Sequence, residues 1–160
     1  MEEWIMNTPI GNLQLEGTAD GLTAVRFTVQ SKNETHPIPE ILQEAVSQLQ
    51  EYFNGARSQF ELKLDPGGTD FQKKVWQKLQ QISFGKTASY REMANMLGDP
   101  KVIRAAAAAN GKNPIAVIIP CHRVIGSDGS LTGYAGGLHR KKWLLAHESP
   151  VRQGELFQTL

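Results

Sequence analysis

The feature that most constrains the fold is a change in hydrophobic pattern at residues 65–68, Asp-Pro-Gly-Gly. Before this turn-forming tetrapeptide, residues 11–17 and 22–29 alternate apolar and polar side chains, which favours half-buried strands. After it, apolar residues recur every three or four positions, as in amphipathic helices. We therefore predict an α+β chain, in which a small N-terminal strand-and-helix domain precedes a mostly helical C-terminal domain. The predicted boundaries are 1–68, 69–150 and a tail at 151–160.

The first half also contains a predicted hairpin, a helix and a further strand. Residues 18–21, Thr-Ala-Asp-Gly, favour a turn between the two alternating segments. Four apolar residues at every fourth position predict one face of a helix that ends near Gly55: Ile41, Ala45, Leu49 and Phe53. Residues 60–64 alternate again and predict one more strand.

The second half predicts three helices, two of them in a helix-turn-helix. A capping-box pattern at residues 69–72 begins the first helix, which carries Val75, Trp76 and Leu79. A second capping box at residues 89–92 begins the next helix, and Gly-Asp-Pro at 98–100 ends it. Residues 101–110 form the third helix. Two short helices around a tight turn indicate a helix-turn-helix of winged-helix-like form.

Cys121 is the only cysteine in the 160 residues. It cannot form an intramolecular disulfide, and no histidine spacing suggests a metal site. Residues 115–119 are an unbroken apolar run that predicts a buried strand, which Pro120 should end. The thiol would then lie beside His122 and Arg123, where a base or cation favours the reactive thiolate. A buried structural cysteine is the alternative.

Composition and charge limit the classes of function that the chain can have. No apolar run approaches the roughly 20 residues of a membrane span, and the acidic N-terminus does not resemble a signal peptide. We therefore expect a soluble, cytoplasmic protein with no membrane partner. Residues 1–68 contain four Lys/Arg and ten Asp/Glu, a balance of −6, whereas residues 69–148 contain twelve and five, a balance of +7. The basic half suggests a polyanionic partner, although ordinary scatter of surface charge would also explain the asymmetry.

The third helix of the second half contains five consecutive alanines, residues 105–109. Alanine is the best helix former, so close packing on a neighbouring helix explains the run. The helix otherwise offers few of the polar side chains that read base edges in the major groove. Small side chains would instead allow close approach to a sugar-phosphate surface, with Arg104 entering the base stack and Tyr90 meeting a phosphate. This pattern predicts a nonspecific DNA binder that distorts DNA.

Spaced sequence blocks in residues 69–148 resemble the C-terminal domain of the methylated-DNA–protein-cysteine methyltransferases, also called alkylguanine-DNA alkyltransferases. The acidic first half resembles that family's N-terminal domain, which is ribonuclease H-like, in general layout only. The matching blocks are Phe71-Gln72-x-x-Val75-Trp76, Ser89-Tyr90, Arg104-Ala105, Gly111-x-Asn113-Pro114, Ile119-Pro120-Cys121-His122-Arg123-Val124, Gly133-Tyr134-x-Gly136-Gly137 and Leu144-Leu145-x-x-Glu148.

The resemblance implies a chemistry for the cysteine. Cys121 would accept an alkyl group from O-6 of guanine in an SN2 displacement and form a stable thioether, so each molecule acts once. His122 would act as base toward the thiol through a bridging water, and Glu148 would orient His122. Asn113 would hold the turn between the recognition helix and the cysteine. No cofactor or metal is implied.

The resemblance also implies a partner and its binding residues. The partner would be double-stranded DNA containing alkylated guanine, bound through the minor groove by a monomer. Arg104 would fill the gap left by a flipped nucleotide, and Tyr90 would rotate the phosphate and donate a hydrogen bond to guanine. The other residues expected to contact DNA or line the pocket are Arg123, Val124, Tyr134, Ala135 and Gly136.

Two positions depart from the family pattern. Many members have Arg-Ala-Val-Gly-x-Ala where this chain has Arg104 followed by residues 105–109, all alanine. Some members have serine where this chain has Ala135, which removes a possible hydrogen bond to the lesion.

Two other functions compete with alkyl transfer. The first is a cysteine hydrolase, although such sites usually take their base from a distant segment and an oxyanion-hole motif is not evident. The second is a non-catalytic module that binds alkylated DNA or acts as a transcription factor. Such a module would keep its function after Cys121→Ala.

Overall fold

The computed structural model describes residues 1–31, 33 and 37–150, and it contains two compact units. The first comprises Met1–Thr69 and Pro114–Ile118, and the second comprises Asp70–Asn113 and the chain from Ile119 onward. The boundary predicted at residues 68 and 69 differs from this division because residues 114–118 belong with the first unit. The predicted tail at 151–160 lies outside the described residues.

The first unit is built on a three-stranded antiparallel sheet. Its strands are β1 (Glu2–Thr8), β2 (Gly11–Thr18) and β3 (Gly21–Thr28), in the order β1-β2-β3. The predicted hairpin is confirmed as β2 and β3. The sequence analysis does not predict β1, because two exposed glutamates at its start obscure the apolar alternation.

One helix, α1 (Glu40–Phe53), packs against all three strands of this sheet. The helix itself is confirmed, but the predicted apolar face is partly wrong because Ile41 is 44% exposed. The residues that it buries are Leu42, Ala45, Val46, Gln48, Leu49, Tyr52 and Phe53. Gly55 follows the helix with a φ of 80°, a left-handed conformation that favours glycine at a helix end.

Two segments form short parallel pairings with the outer edge of β3 and provide hydrogen-bond partners for its backbone groups. Leu22 N–H donates to Lys63 O and Asp65 N–H donates to Leu22 O, so the strand predicted at 60–64 is reduced to an isolated bridge at Leu64. Val25 N–H donates to Pro114 O, and Ala116 N–H donates to Val25 O. Both pairings cover backbone groups that a free sheet edge would expose.

The strand predicted at residues 115–119 is wrong. The segment is buried, but it pairs only at Ile115 and then turns. Ile118 N–H donates to Ala116 O across Val117, whose φ of 70° is rare for a β-branched residue. An apolar run without a period indicates burial, and here the buried backbone is a turn.

The second unit is mostly helical. Its helices are α2 (Asp70–Leu79), α3 (Tyr90–Met96), α4 (Ile103–Gly111) and α5 (Leu138–Glu148), and its short strands β4 (Ala88–Ser89) and β5 (Val124–Ile125) pair in parallel. Together with the first unit's sheet, this confirms the α+β class. The sequence analysis assigns no element to α5.

The helix-turn-helix of the second unit consists of α3 and α4. Ser89 forms the predicted capping box with Glu92, and the third predicted helix begins as a 3-10 turn at Pro100–Val102 before α4. Trp76 of α2 donates its indole N–H to Ala109 O over 2.9 Å in the buried interface with α4. Across the described part of the chain, no helix has the length and apolar character to cross a bilayer.

Gln48 of α1 is expected to stabilise the first unit through its amide group. Its side chain is 2% exposed, accepts from Glu61 N–H at 2.9 Å and donates to Glu61 O at 3.2 Å. Gln48→Met would leave both backbone groups without these bonds, so we predict that the free energy of unfolding falls by about 1–3 kcal/mol in urea denaturation. Gln50→Met, at an exposed position of the same helix, is the control and should change stability by less than about 0.5 kcal/mol. Equal losses in the two variants would contradict the prediction.

Candidate active site

Cys121 begins a 3-10 turn, Cys121–Arg123, within the second unit. The turn follows Pro120, across which Cys121 N–H donates to Ile119 O at 2.8 Å. The Asn113 side-chain amide donates to the same carbonyl, also at 2.8 Å. Asn113, two residues after the end of α4, is therefore hydrogen-bonded to the backbone just before the cysteine.

Cys121 is only 7% exposed. Burial raises its pKa above the usual value, and a hydrogen bond with the Asn113 side chain and the charge of Lys141 offset part of this effect. The buried environment therefore favours the protonated thiol, and a base that accepts its proton would promote nucleophilic attack.

His122 and Arg123 both bind the carboxylate of Glu148, at the end of α5. His122 Nε2 lies 2.8 Å from Glu148 Oε2, and Arg123 Nε donates to Glu148 Oε1 at 2.7 Å. A second Arg123 nitrogen donates to Oε2 at 3.1 Å. His122 is fully buried and Glu148 is 3% exposed, so these contacts are shielded from water.

The electrostatics of this group determine the protonation of His122. Burial raises the pKa of Glu148, but the hydrogen bonds and charges of His122 and Arg123 outweigh it and hold the pKa at about 2. Burial lowers the pKa of His122 and keeps the ring neutral, although Glu148 opposes the shift. An ionised carboxylate only accepts hydrogen bonds, so Nε2 carries the proton and Nδ1 has a free lone pair. In the described part of the chain, Nδ1 has no hydrogen-bond partner.

The sequence analysis expects Arg123 and Val124 to contact DNA or line the pocket, but the structure buries both side chains. Arg123 is 6% exposed, donates to Ile82 O at 2.6 Å and lies over the Phe84 ring. Val124 is fully buried in β5. Both side chains therefore make contacts inside the second unit and are not exposed for contact with DNA.

The two faces of α4 have different surroundings. Ala106 and Ala109 are buried in contacts of α4 with its neighbouring helices, which explains the need for small side chains there. Arg104, Ala105 and Ala108 are exposed, so one face combines a single long cation with methyl groups. The alanines on one side of α4 thus pack against neighbouring helices, and those on the other side form an exposed surface with few protruding side chains.

The loop before α5 contains the residues expected to line a pocket. Tyr90, the first residue of α3, accepts a hydrogen bond at its phenol oxygen from Thr132 Oγ1 over 3.2 Å. Tyr134 is half-buried, and burial raises the pKa of its phenol well above the usual value. Ala135 is exposed and Gly136 is half-buried. The loop is therefore linked to the first residue of the helix-turn-helix.

Lys141 of α5 is a site residue that the sequence analysis does not identify. It is fully buried, and its ammonium donates to Val124 O and Thr132 O, both at 2.7 Å. Lys142, next to it in the sequence, is exposed. Nothing in the sequence distinguishes the two lysines except that Lys141 precedes Leu144 and Glu148 at helical spacing, on the buried side of α5.

The second unit defines a class of protein, one in which a helix-turn-helix domain carries a buried cysteine followed by a neutral histidine. Within the described ranges, no cluster of His, Cys, Asp or Glu side chains could hold a metal ion. Family profiles match both units: the 6-O-methylguanine DNA methyltransferase DNA-binding domain at residues 70–150 and its ribonuclease-like domain at residues 3–66.

Individual relatives agree with these profiles. A methylated-DNA–protein-cysteine methyltransferase of Methanosarcina barkeri is 48% identical over 149 residues, which cover 90% of this chain and 94% of the relative. The crystal structure of the Mycobacterium tuberculosis O6-methylguanine methyltransferase has a TM-score of 0.82 at 45% identity, covering 92% of each chain. M. tuberculosis OGT in complex with DNA has a TM-score of 0.80 at 44% identity, covering 93% of this chain and 95% of its own. The chain belongs to the methylated-DNA–protein-cysteine methyltransferase family.

The buried His122 and Glu148 predict loss of stability in acid. In the unfolded chain their pKa values are near 6.5 and 4.5, and both are lower in the folded protein, where that of Glu148 is about 2. The unfolded chain therefore binds more protons, and the free energy of unfolding should fall as the pH drops below about 6.5, with a further loss from about 4.5 toward 2. Urea denaturation at a series of pH values measures both losses.

Glu148→Gln should remove the second loss and lower stability at pH 7 by about 3–5 kcal/mol, because Arg123 would keep its charge without a buried partner. Glu2→Gln, at an exposed position, is the control and should reproduce the profile of the unchanged protein. A Glu148→Gln profile parallel to that of the unchanged protein below pH 4.5 would contradict the assignment.

Proposed function

We propose that Cys121 is the residue that accepts the alkyl group in this DNA-repair methyltransferase. As a member of its family, the chain is a methylated-DNA–protein-cysteine S-methyltransferase that repairs DNA by direct transfer. Cys121 is the only cysteine, so only one thiol is available as acceptor. The observation that carries the proposal is that this buried thiol shares a 3-10 turn with His122, whose Nδ1 has no hydrogen-bond partner within the described residues.

His122 acts as the base in the proposed reaction. The raised pKa of Cys121 makes spontaneous ionisation unfavourable at neutral pH, so proton removal must accompany attack. His122 is neutral and receives the thiol proton at Nδ1 through a bridging water. The Glu148 carboxylate then stabilises the positive charge that forms on the ring, as in other nucleophile, base and acid arrangements.

The bonds and charges of the transfer balance without a co-reactant. The Sγ lone pair forms a bond to the alkyl carbon while the bond from that carbon to O-6 breaks, and the bonding electrons remain on guanine. The Tyr90 phenol donates a hydrogen bond to the departing guanine. His122 then releases the proton that it took from the thiol, and solvent carries this proton to the guanine. The thioether is stable, so the protein reacts once.

The substrate of the proposed reaction is alkylated guanine in duplex DNA, approached from the minor groove by a monomer. The exposed face of α4 supports this geometry, because alanine methyl groups allow close approach and offer no base code. A base within the stack hides the alkyl carbon from the thiol, so the nucleotide must be flipped out. Arg104, exposed on this face, occupies the vacated position.

The lesion pocket is proposed to be formed by Tyr134, Ala135 and Gly136. The backbone at Gly136 allows close approach to the base, and Tyr134 provides an aromatic wall. Ala135 contributes no side-chain hydrogen bond, so recognition of the lesion relies on backbone groups and on Tyr90.

Cys121 is predicted to gain one alkyl group per molecule. Incubation with a duplex containing O-6-methylguanine should increase the intact mass by a single methyl group and place it on the peptide that contains Cys121. Cys121→Ser should gain no mass, because an alcohol beside a neutral histidine is a much weaker nucleophile.

Two further assays separate the competing functions. Repeated turnover of an acyl substrate would indicate a hydrolase, and a Cys121→Ala variant that retained the full cellular function would indicate a DNA-binding module without transfer. Either result would overturn the proposal.

Arg104→Ala is predicted to slow methyl transfer from duplex DNA by at least about tenfold, since the flipped state loses about 1.4 kcal/mol or more of stabilisation. The reaction with free O-6-benzylguanine should be nearly unchanged, because a free base does not need to be flipped. Single-turnover rates on both substrates provide the measurement.

Lys112→Ala is the matched control, since it removes an exposed cation at the other end of α4. It should weaken duplex binding modestly without the selective loss of rate. Equal losses on both substrates with Arg104→Ala would assign Arg104 to folding.

A further inference from the structure

Two adjoining cavities of the first unit have no part in the proposed transfer. The smaller, of about 270 Å³, lies between the β2–β3 turn, the first residues of α1 and residues 61–63. The larger, of about 570 Å³, lies between residues 1 and 2, the same turn and the residues that lead into α1. Thr18, Ala19 and Ile41 line both cavities, so together the two form one depression, here called the first-unit groove.

The first-unit groove exposes aliphatic side chains. Ile41 belongs to the apolar repeat of α1, yet it is 44% exposed and lies where the two cavities meet. Met1 is 75% exposed at the larger cavity. The other apolar lining residues are Ala19, Leu22, Ala45, Leu62, Pro37 and Pro39. A partner that covered this surface would remove apolar area from water, which favours binding.

Four carboxylates surround these apolar residues. Glu44 and Glu61 line the smaller cavity, and Glu2 and Glu40 line the larger one. All four are exposed, and none forms an ion pair with another described residue. Lys63 is the only cationic side chain that lines the groove, and the amino group of Met1 adds one more positive charge. Negative charge therefore exceeds positive charge around an apolar centre.

Buried hydrogen bonds fix part of this arrangement before any partner binds. The Gln48 amide, 2% exposed, donates to Glu44 Oε1 at 2.8 Å and to Glu61 O at 3.2 Å. Gln48 Oε1 also accepts from Glu61 N–H at 2.9 Å. One amide thus holds the Glu44 carboxylate and the Glu61 backbone at the smaller cavity, so a ligand there would not bear the whole cost of ordering them.

The charge of the first-unit groove selects the chemistry of its occupant. Residues 1–68 contain four Lys/Arg and ten Asp/Glu, so the first unit repels the phosphates of the DNA that the second unit is built to bind. Proteins that bind DNA have Lys- and Arg-rich surfaces and segments. A segment of this kind is attracted to the four carboxylates, and an aliphatic residue within it would contact Ile41.

We propose that the first-unit groove is a docking site for a Lys/Arg-rich segment of a DNA-associated partner protein, anchored by an aliphatic side chain at Ile41. The site lies wholly within the first unit and takes no part in alkyl transfer. The inference therefore goes beyond the proposed function and does not depend on it.

A synthetic peptide tests both parts of the recognition. The probe is fluorescein-labelled Lys-Lys-Lys-Leu-Lys-Lys-Leu-Lys-Lys-Lys, and its binding to the full chain is measured by fluorescence anisotropy. We expect a Kd of about 1–100 μM that weakens as salt is added. Replacing both leucines with serine should weaken binding at least about tenfold, because the aliphatic contacts are lost. Replacing the lysines with glutamate should abolish binding.

Two groove variants locate the site. Ile41→Ser should weaken the leucine peptide about tenfold and leave the serine peptide nearly unchanged, because it removes only the aliphatic contact. Glu40→Lys should weaken both peptides. Val29→Ser and Glu3→Lys are the matched controls, since both residues are exposed in the first unit and neither lines the groove. All four variants should react with O-6-benzylguanine at the rate of the unchanged protein.

Several results would overturn the inference. These are absence of binding at about 1 mM protein, or equal affinities in Ile41→Ser and Val29→Ser. A dimer that Ile41→Ser dissociates in analytical ultracentrifugation would assign the groove to a second copy of the chain. Tighter peptide binding after removal of residues 151–160 would assign it to the chain's own tail. Loss of folding in both groove variants, judged by circular dichroism, would assign Glu40 and Ile41 to stability.

The proposed function fails independently of this inference. A protein that bound the peptide as expected but gained no alkyl group would contradict the proposed function and support the docking site. A protein that transferred the alkyl group but ignored the peptide would do the reverse.

Discussion

The buried carboxylate of Glu148 is the group on which the arrangement of the second unit depends. It accepts hydrogen bonds from His122 and Arg123 at 2.7–3.1 Å, and so fastens the last residue of α5 to the turn that presents Cys121. The same contacts keep Glu148 ionised and assign the His122 proton to Nε2. One carboxylate therefore determines both the position of the cysteine turn and the nitrogen available as base.

The rest of the site depends on how a unit without disulfides holds irregular backbone in place. The cysteine lies in a 3-10 turn and the pocket lies in a loop, which are elements with few hydrogen bonds of their own. Side chains supply the missing bonds: Asn113 before the cysteine, Arg123 at Ile82 and Lys141 at Thr132, which leads into the pocket loop. Hydrogen bonds from these polar side chains take the place of the backbone hydrogen bonds that a regular sheet would provide.

The sequence predicts the regular elements of this chain better than the irregular ones. The β2–β3 hairpin, α1 and the Ser89 capping box follow from local patterns that depend on neighbouring residues. The segment at 115–119 does not, because a continuous apolar run is compatible with any buried backbone and Val117 adopts a turn. The blocks around Cys121 locate the reactive segment along the chain. The interior positions of Arg123 and Lys141 could not be predicted, since a charged residue is buried only when distant groups supply its partners.

The backbone pairing of Val25 with Pro114 and Ala116 limits how relatives of this protein can exchange parts by recombination. A crossover at residues 65–68 looks clean in the sequence, yet residues 114–118 of the later portion complete the edge of β3 in the first unit. A chimera joined there would combine one parent's strand with the other parent's edge segment. Hybrids should therefore survive when the inherited 114–118 segment matches the inherited β3, and mismatched ones would carry an open sheet edge prone to aggregation.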